Sequence, residues 1–313
     1  MFTSDREIKF SDLITYESID DARKEIIDAE IESVLRKSHH EQFLWMERRF
    51  SMKLREGIDV WPEFVELCER RNLLTHTGGV VSQQYLKVCD QHKCNINKKV
   101  GDKLIVDHEY FEKAIETIAE IGTKLGHVMW RKFSPSERET ADHDLNDLGM
   151  HLIKVGEYKT AERILELGVD FPSHHSDRVK RMMIVNLANA AKLGGDSEKA
   201  ARIIGKVDWS ASSPDFQICV AAVEGKVDSV CELMRNLGAK GAISASDFRD
   251  WPVFHSVRNK PEFSATFEEV FAEPLLLKQT IKSDLDDGKT TTFEGEAEAE
   301  RTLDTGEPEG TIH

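Results

Sequence analysis

Three residues near the end of one predicted helix combine the side chains that phosphodiester chemistry uses. They are Arg71, Asn72 and His76 of the 313-residue chain. An arginine contacts a phosphate at two points, which a lysine does not reproduce. An imidazole moves protons near neutral pH, and an amide can orient either neighbour. The set therefore suits metal-independent attack of a ribose 2′-OH on its own phosphodiester, which leaves a 2′,3′-cyclic phosphate.

Arg71 falls in the apolar seam of this predicted helix. The other positions of the seam recur at helical spacing and are Val60, Phe64, Leu67 and Leu74. A guanidinium in such a seam is costly unless it meets an anion or a paired surface, so we expect a homodimer through this helix. Gly78-Gly79 ends the helix and would let His76 swing back toward Arg71. Alternatively, Arg71 pairs with Glu66 or Glu69, and His76 only interacts with the helix C-terminus.

The Arg71-Asn72-x3-His76 arrangement resembles the motif of the HEPN superfamily, in which an arginine and a polar residue precede a histidine (R-x4-6-H). Arg70 also fits with a longer gap, but the asparagine in the polar slot selects Arg71. The resemblance covers about residues 15–132. It implies a helical bundle and a dimer whose two motifs form one cleft. Arg71, His76 and Asn72 would then be the catalytic residues of a metal-independent endoribonuclease with an RNA substrate.

Helix signals run through most of the chain and predict an all-α fold. Caps at Ser18 and Ser38 begin two helices, and Pro62 lies near the start of a third. A further helix is predicted over 80–91. A long helix over 107–131 carries one apolar stripe, formed by Phe111, Ile115, Ile118, Leu125 and Met129. Residues 95–106 are expected to hold a short strand pair or a loop.

Three helical hairpins follow one another after residue 140. They span 145–168, 185–207 and 216–238, with aligned turn glycines and aligned small or β-branched residues, namely Gly156, Gly195 and Gly225, and Ala161, Ala200 and Val230. The first hairpin resembles the tetratricopeptide (TPR) pattern through Leu145, Leu148, Gly149, Gly156, Tyr158 and Ala161. The resemblance implies a stacked array with a protein or peptide partner. Residues 251–271 are expected to cover the last hairpin with Trp251, Phe254, Phe263 and Phe267.

These patterns divide the chain into three predicted regions. They are a HEPN-like helical domain (1–135), TPR-like helical repeats with a C-terminal cap (136–275), and an acidic disordered tail (276–313). Residues 284–313 have ten acids, two bases and almost no apolar side chains, so burial cannot offset the entropy of ordering them. The net charge of −15 for the whole chain argues against binding to long duplex DNA.

The tail is expected to be dispensable for folding. A chain that ends at Ser283 should keep the melting temperature of the full chain, because the removed residues bury almost no apolar surface. Thermal melts of the two proteins, followed by circular dichroism, test this expectation. A loss of several degrees in the truncated chain would show that the tail docks on the rest of the protein.

Composition argues against several other classes of protein. No apolar run approaches the roughly 18 residues of a membrane span, and charges stand where a secretory signal has its apolar core. Five irregularly spaced cysteines do not form a disulfide framework and favour the reducing cytoplasm. The spacing of Cys89, His92 and Cys94 matches no common zinc site, so neither metal nor cofactor is expected.

Two functions of different kinds follow from these observations. The first is a ribonuclease effector controlled by its TPR-like half, a pairing that the HEPN resemblance connects with toxins and antiviral defence. The second is non-catalytic, either an interaction scaffold or a regulator that binds a nucleotide in the cleft of Arg71 and His76. The motif favours the first function, and the acidity of the chain favours the second.

Overall fold

The computed structural model describes residues 9–276, and this part of the chain is all-helical. Most of the predicted tail therefore lies outside the described residues. Within them are fifteen α-helices: α1 (Phe10–Leu13), α2 (Ile19–Leu35), α3 (His39–Phe50), α4 (Trp61–Thr77), α5 (Gln83–Gln91), α6 (His108–Phe133), α7 (Arg138–Val155), α8 (Tyr158–Asp170), α9 (Asp177–Leu193), α10 (Ser197–Ile204), α11 (Pro214–Glu224), α12 (Val227–Leu237), α13 (Ala245–Asp250), α14 (His255–Arg258) and α15 (Pro261–Phe271). Two 3₁₀ turns, Pro135–Glu137 and Pro252–Phe254, complete them.

The predicted helix caps are confirmed. Ser18 accepts a hydrogen bond from the backbone N–H of Asp21, and Ser38 forms a capping box with Glu41. Asp107 caps the long helix α6 by accepting from the N–H of Tyr110 at 2.8 Å. Each cap satisfies a backbone donor that the first turn of a helix leaves without a partner.

Residues 95–106 form a loop, which decides between the two predicted alternatives. Between residues 9 and 276 there is no strand, only one antiparallel bridge from Val80 to Lys103. The N–H of Leu104 donates to the carbonyl of Gly79 at 2.8 Å. A Cβ on Gly79 would lie 2.9 Å from the oxygen of Leu104, so only glycine permits this close approach. The loop is thereby tied to the end of α4.

The N-terminal half of the described chain contains two small apolar cores. One lies among α3, the start of α4 and α6, and consists of Phe43, Leu54, Ile58, Val60 and Ile121. The other joins the end of α4, α5 and the 95–106 loop, and consists of Leu73, Val81, Tyr85, Cys89 and Leu104. The predicted stripe of α6 is not its packed side throughout, because Phe111, Ile115 and Ile118 are exposed.

The three predicted hairpins are observed as α7–α8, α9–α10 and α11–α12. Their turn glycines all have positive φ, which is the conformation glycine adopts without strain: Gly156, Gly195 and Gly225. The aligned small residues are all buried in the first turns of the second helices: Ala161, Ala200 and Val230. A Cβ on Gly149 would lie 2.5 Å from Leu165, so this glycine lets α7 and α8 pack closely.

The C-terminal segment covers more than the last hairpin. Helix α15 packs on α12 and buries Phe263 and Phe267, as the sequence predicted. The 3₁₀ turn at Pro252–Phe254 instead contacts α7, α9 and α11, the first helix of every hairpin. Phe254 is fully buried there, whereas Trp251 is half-buried. This segment therefore joins the three hairpins to one another.

Side chains pair across the predicted domain boundary at residue 135. The Arg131 guanidinium on α6 donates to the buried Asp142 carboxylate on α7, and Arg163 on α8 pairs with Glu120 on α6 at 2.8 Å. The second oxygen of Asp142 accepts from the N–H of His175 at 2.6 Å. In the part of the chain from residue 9 to 276, no helix is both long and apolar enough to cross a membrane.

Candidate active site

Helix α4 carries all three residues of the proposed motif. Pro62 lies in its first turn, where the missing N–H costs no hydrogen bond. The helix ends at Gly78, which adopts the left-handed conformation, and the N–H of the following Gly79 donates to the carbonyl of Leu73 at 3.0 Å. The motif therefore occupies the last two turns of a regular helix.

Arg71 and Asn72 are adjacent and exposed. Arg71 Nη1 donates to Asn72 Oδ1 at 3.3 Å. Within the single chain Arg71 does not lie in a packed seam, because both Arg71 and Leu74 are exposed; the expected pairing of this seam with a second copy stays a prediction. The packed side of α4 is rotated from the predicted seam and buries Val65, Glu66 and Leu73. The reason is that α5, α6 and the 95–106 loop approach α4 from this rotated side.

The structural alternative for Arg71 is wrong as well. Its neighbour Arg70 donates from Nε to Glu66 Oε1 at 2.7 Å, so Glu66 is paired with the other arginine. Arg71 forms no ion pair with Glu69 among the described residues. Among residues 9–276, the side chain that holds the guanidinium of Arg71 is therefore Asn72.

His76 lies inside the last turn of α4. Helix α4 continues to Thr77, so the helix end does not let His76 swing toward Arg71 as expected. Five residues at about 100° each separate the two side chains by about 140° around the helix axis. Asn72 lies one turn before His76 on the same side. Within one chain, Asn72 is therefore close to both Arg71 and His76. Arg71 and His76 themselves point in different directions from α4.

A polar cavity of about 340 Å³ begins on the side of α4 that carries Asn72 and His76. It lies among α3, α4 and α5. Its lining is rich in histidine and includes the residues of α4 that precede Asn72 by one and two turns: Ser38, His39, His40, Glu41, Phe64, Val65, Cys68, Glu69, Gln84, Val88, Gln91 and His92. Burial raises the pKa of the Cys68 thiol to about 12, which makes it a poor nucleophile near neutral pH.

His40 and His92 form a close pair in this cavity. Their ring centroids are 4.2 Å apart, edge to face, and His40 Nδ1 is buried without a hydrogen-bond partner. Burial lowers the pKa of His40, and the neighbouring His92 and Arg55 lower it further. Burial also lowers the pKa of His92, with a second contribution from Arg55. These effects favour the neutral form of both rings.

Acid is expected to destabilise the protein through this pair. Unfolded histidine has a pKa of about 6.5, whereas the folded pKa values of His40 and His92 are lower. The unfolded state therefore binds more protons as the pH falls below about 6.5, and stability decreases from there down to the folded pKa values. Melting temperatures at about pH 7.5 and about pH 5.5 measure the loss.

A comparison of two histidine variants tests whether His40 and His92 cause the loss of stability in acid. His92→Gln removes one titrating ring, so its melting temperature should fall less than that of the wild type between the two pH values. His108→Gln, at an exposed position on α6, is the matched control and should behave like the wild type. If His92→Gln loses as much as the wild type, the pair does not cause the acid sensitivity.

A buried cluster around Glu66 fixes the helix that carries the motif. Glu66 Oε1 accepts from Tyr85 OH at 2.6 Å as well as from Arg70, and Glu66 Oε2 accepts from Tyr110 OH at 2.9 Å. The Arg70 guanidinium lies 3.8 Å from the centroid of the Tyr110 ring. Because Tyr85 belongs to α5 and Tyr110 to α6, the cluster holds α4 against both helices. Sequence analysis missed it, although Glu66 and Arg70 have the spacing of a helical ion pair.

The zinc interpretation of the cysteines gains no support from their positions. Cys89 is buried, and Cys94 donates from Sγ to the carbonyl of Pro62 at 3.2 Å. His92 faces His40 instead of the two thiols. Over residues 9–276, no group of three or more histidine, cysteine, aspartate or glutamate side chains has the geometry of a metal site.

A second groove lies in the C-terminal half, between the first helices of the hairpins. It is a small pocket of about 150 Å³ beside the 3₁₀ turn at Pro252–Phe254, and its lining includes Asn146, Met150, Arg178, Asn186, Phe216 and Trp251. Asn186 Nδ2 donates to Asn146 Oδ1 at 2.9 Å, and Arg178 pairs with Asp215 at 2.7 Å. Its lining combines apolar side chains with two asparagines and an ion pair, which suits a side chain of an extended peptide.

No family model matches the chain, and no curated protein or solved structure is similar enough to be matched to it. The resemblance to the HEPN and TPR families therefore depends on the motif residues alone.

Proposed function

We propose that the chain is a HEPN-like, metal-independent endoribonuclease that acts as a homodimer. One observation carries the proposal: Arg71, Asn72 and His76 are all exposed and do not hold the fold together. The structural contacts of α4 are made by other residues, chiefly Glu66, Arg70 and Leu73. Polar side chains that contribute little to folding are free to bind a substrate.

The residue types define the chemistry of each step. The Arg71 guanidinium would hold two phosphate oxygens and stabilise the charge that develops on them in the transition state. The His76 imidazole would accept the proton of the ribose 2′-OH, whose oxygen then attacks phosphorus. The bond from phosphorus to the 5′-oxygen breaks, a proton returns to that oxygen, and a 2′,3′-cyclic phosphate remains. Asn72, which already contacts Arg71, would orient the guanidinium.

A second copy of the chain would complete the site. Arg71 and His76 diverge by about 140° on one helix, so one protomer does not place both against the same phosphate. Two α4 helices related by a two-fold axis can present Arg71 from one copy and His76 from the other. A homodimer that brings the two Arg71 helices close together therefore forms part of the proposal.

The histidine-rich cavity offers a place for a base beside the scissile phosphate. His39 lies 6.2 Å from Phe64 between ring centroids, and His40 lies 6.1 Å from Trp61. Unpaired RNA bases stack on such rings, whereas paired bases are not accessible. The substrate would accordingly be single-stranded RNA.

The decisive experiment incubates the purified full chain with labelled single-stranded RNA in EDTA. Cleavage that leaves a 2′,3′-cyclic phosphate is the expected result. A substrate with one 2′-deoxyribose at the cut site should resist cleavage, because it has no nucleophile there. Cleavage of that substrate, or a requirement for Mg²⁺, would contradict the mechanism.

A non-catalytic scaffold is the second candidate, and a specific observation favours it. Except for Val155 and Leu276, the exposed large apolar side chains of the described residues all lie before residue 134. Patches of this kind mark protein interaction surfaces. The TPR-like half would add a peptide partner in the groove beside Asn146 and Asn186. If the chain is a ribonuclease, the TPR-like half would restrain its activity. If the chain is a scaffold, the TPR-like half would only bind the peptide partner.

A further inference from the structure

Helix α6 exposes an apolar face that the rest of the described chain leaves uncovered. Phe111, Ile115 and Ile118 are 54%, 51% and 52% exposed, at the spacing of one helical stripe. Ile105 and Val106, which directly precede the helix, are also exposed, at 66% and 46%. We call these five residues the α6 face. A large apolar side chain that is half exposed forgoes much of the stabilisation that burial provides.

The positions of the helical stripe itself are uncharged, and it continues from Ile118 to Gly122, which is exposed. Glu116 and Glu120 lie on another side of the helix, where they pair with Arg163. Glu112 borders the stripe and lies 3.9 Å from His108. An apolar face bordered by a carboxylate is unsuited to RNA, whose backbone requires cations. Its chemistry fits another apolar protein surface.

We propose that the α6 face is the surface through which two copies of this chain associate, with their α6 helices antiparallel. The stripe complements itself in this arrangement. With Ile115 opposite Ile118 of the second copy, Phe111 of each chain lies opposite Gly122 of the other. Bulky residues thereby meet small ones at both ends of the contact, as close helix packing requires.

The area of the α6 face agrees with a dimer. Each of its five half-exposed side chains offers roughly 100 Å², which gives roughly 1,000 Å² for two copies. Specific interfaces begin at about this size. Smaller residues of the stripe, such as Ala119, add to it.

The α6 face is rigidly connected to the motif helix. Arg70 Nη1 on α4 donates to the carbonyl of Ile105 at 3.1 Å, and the Glu66 cluster joins α4 to α6. Association through α6 would therefore fix the relative positions of the two α4 helices. The surface does not depend on RNA chemistry, because it is apolar whether or not the chain cleaves RNA.

Sedimentation equilibrium of the full chain at micromolar concentration tests the proposal. The wild type should have twice the 35.6 kDa mass of one chain. Ile115→Glu should weaken the dimer at least about 100-fold, because it buries two unpaired carboxylates. Val155→Glu is the matched control, since Val155 has similar exposure outside the α6 face. This control should stay dimeric.

A second variant separates association from folding. A Cβ at Gly122 would meet no atom of its own chain within 4 Å, and leucine has the higher helix propensity. Gly122→Leu should therefore keep or raise the helical content while it blocks Phe111 of the second copy. A monomeric wild type would overturn the proposal. So would an Ile115→Glu or Gly122→Leu chain that stays dimeric, which would place the interface elsewhere, for example on the Arg71 helix.

Discussion

Replacing Arg71 or His76 with alanine is expected to lower the rate of RNA cleavage at least about 100-fold, because each removes a group that acts in the transition state. Arg71→Lys should be nearly as damaging, since a point charge does not reproduce two-point contact with a phosphate. Asn72→Ala should be milder, because its amide only orients Arg71. Single-turnover cleavage of labelled RNA in EDTA measures all four rates.

The controls for this series distinguish chemistry from folding. Arg48→Ala removes the same charge from an exposed position of α3 and should keep wild-type activity. The double variant Arg71→Ala/His76→Ala should be no worse than either single one, because groups that act together fail together. If the Arg71 and His76 variants cleave normally, the motif is not catalytic. If they lose activity only through a lower melting temperature, their role is structural.

Mixing two inactive variants tests whether the site is shared between copies. After subunits exchange, half of the dimers would pair one Arg71→Ala chain with one His76→Ala chain. Each such dimer keeps one intact pair of Arg71 and His76, so the mixture should regain about a quarter of wild-type activity. No recovery in exchanged dimers would mean that both residues act within one chain.

Asp142→Ala is expected to cause the largest loss of stability among single substitutions at polar positions. Asp142 is fully buried and accepts from Arg131 on α6 and from the N–H of His175. Its removal leaves a buried guanidinium unpaired, which costs about 3–5 kcal/mol. The melting temperature should fall by roughly 10 °C, measured by calorimetry near neutral pH.

Two further variants test the reason for this loss. Asp147→Ala removes an exposed carboxylate from the same helix, and should change the melting temperature by little. The double variant Arg131→Met/Asp142→Leu should be more stable than Asp142→Ala, because it removes both buried charges. If the double variant is the less stable one, the loss does not come from an unpaired charge.

The helices were predictable because their signals are local. Ser18, Ser38 and Asp107 act on backbone groups only three residues away, and Gly156 ends its helix by its own conformation. The hairpins were predictable for the same reason, since a short glycine turn between two apolar helices allows few arrangements. The structure of such segments is determined mainly by residues that are close in the sequence.

The surroundings of the motif were less predictable, because they depend on which sides of α4 its neighbours cover. Arg70 and Arg71 are adjacent in the sequence, yet only Arg70 is held by the Glu66 cluster. The tyrosines that complete this cluster come from α5 and α6, far along the chain. His40 and His92 likewise meet only after folding. A periodic apolar stripe predicts that another protein surface covers that side of α6. It does not indicate whether the covering surface belongs to the same chain.

The 3₁₀ turn at Pro252–Phe254 changes how the C-terminal half should unfold. Arrays of stacked hairpins ordinarily unfold from their ends, one unit after another, because each unit contacts only its neighbours. Here the turn contacts α7 as well as α9 and α11, so the last part of the array is bound to its first hairpin. Fraying of the C-terminal end would break contacts at the opposite end too. The three hairpins should therefore unfold together in one cooperative transition, because neither end of the array can unfold without breaking contacts at the other.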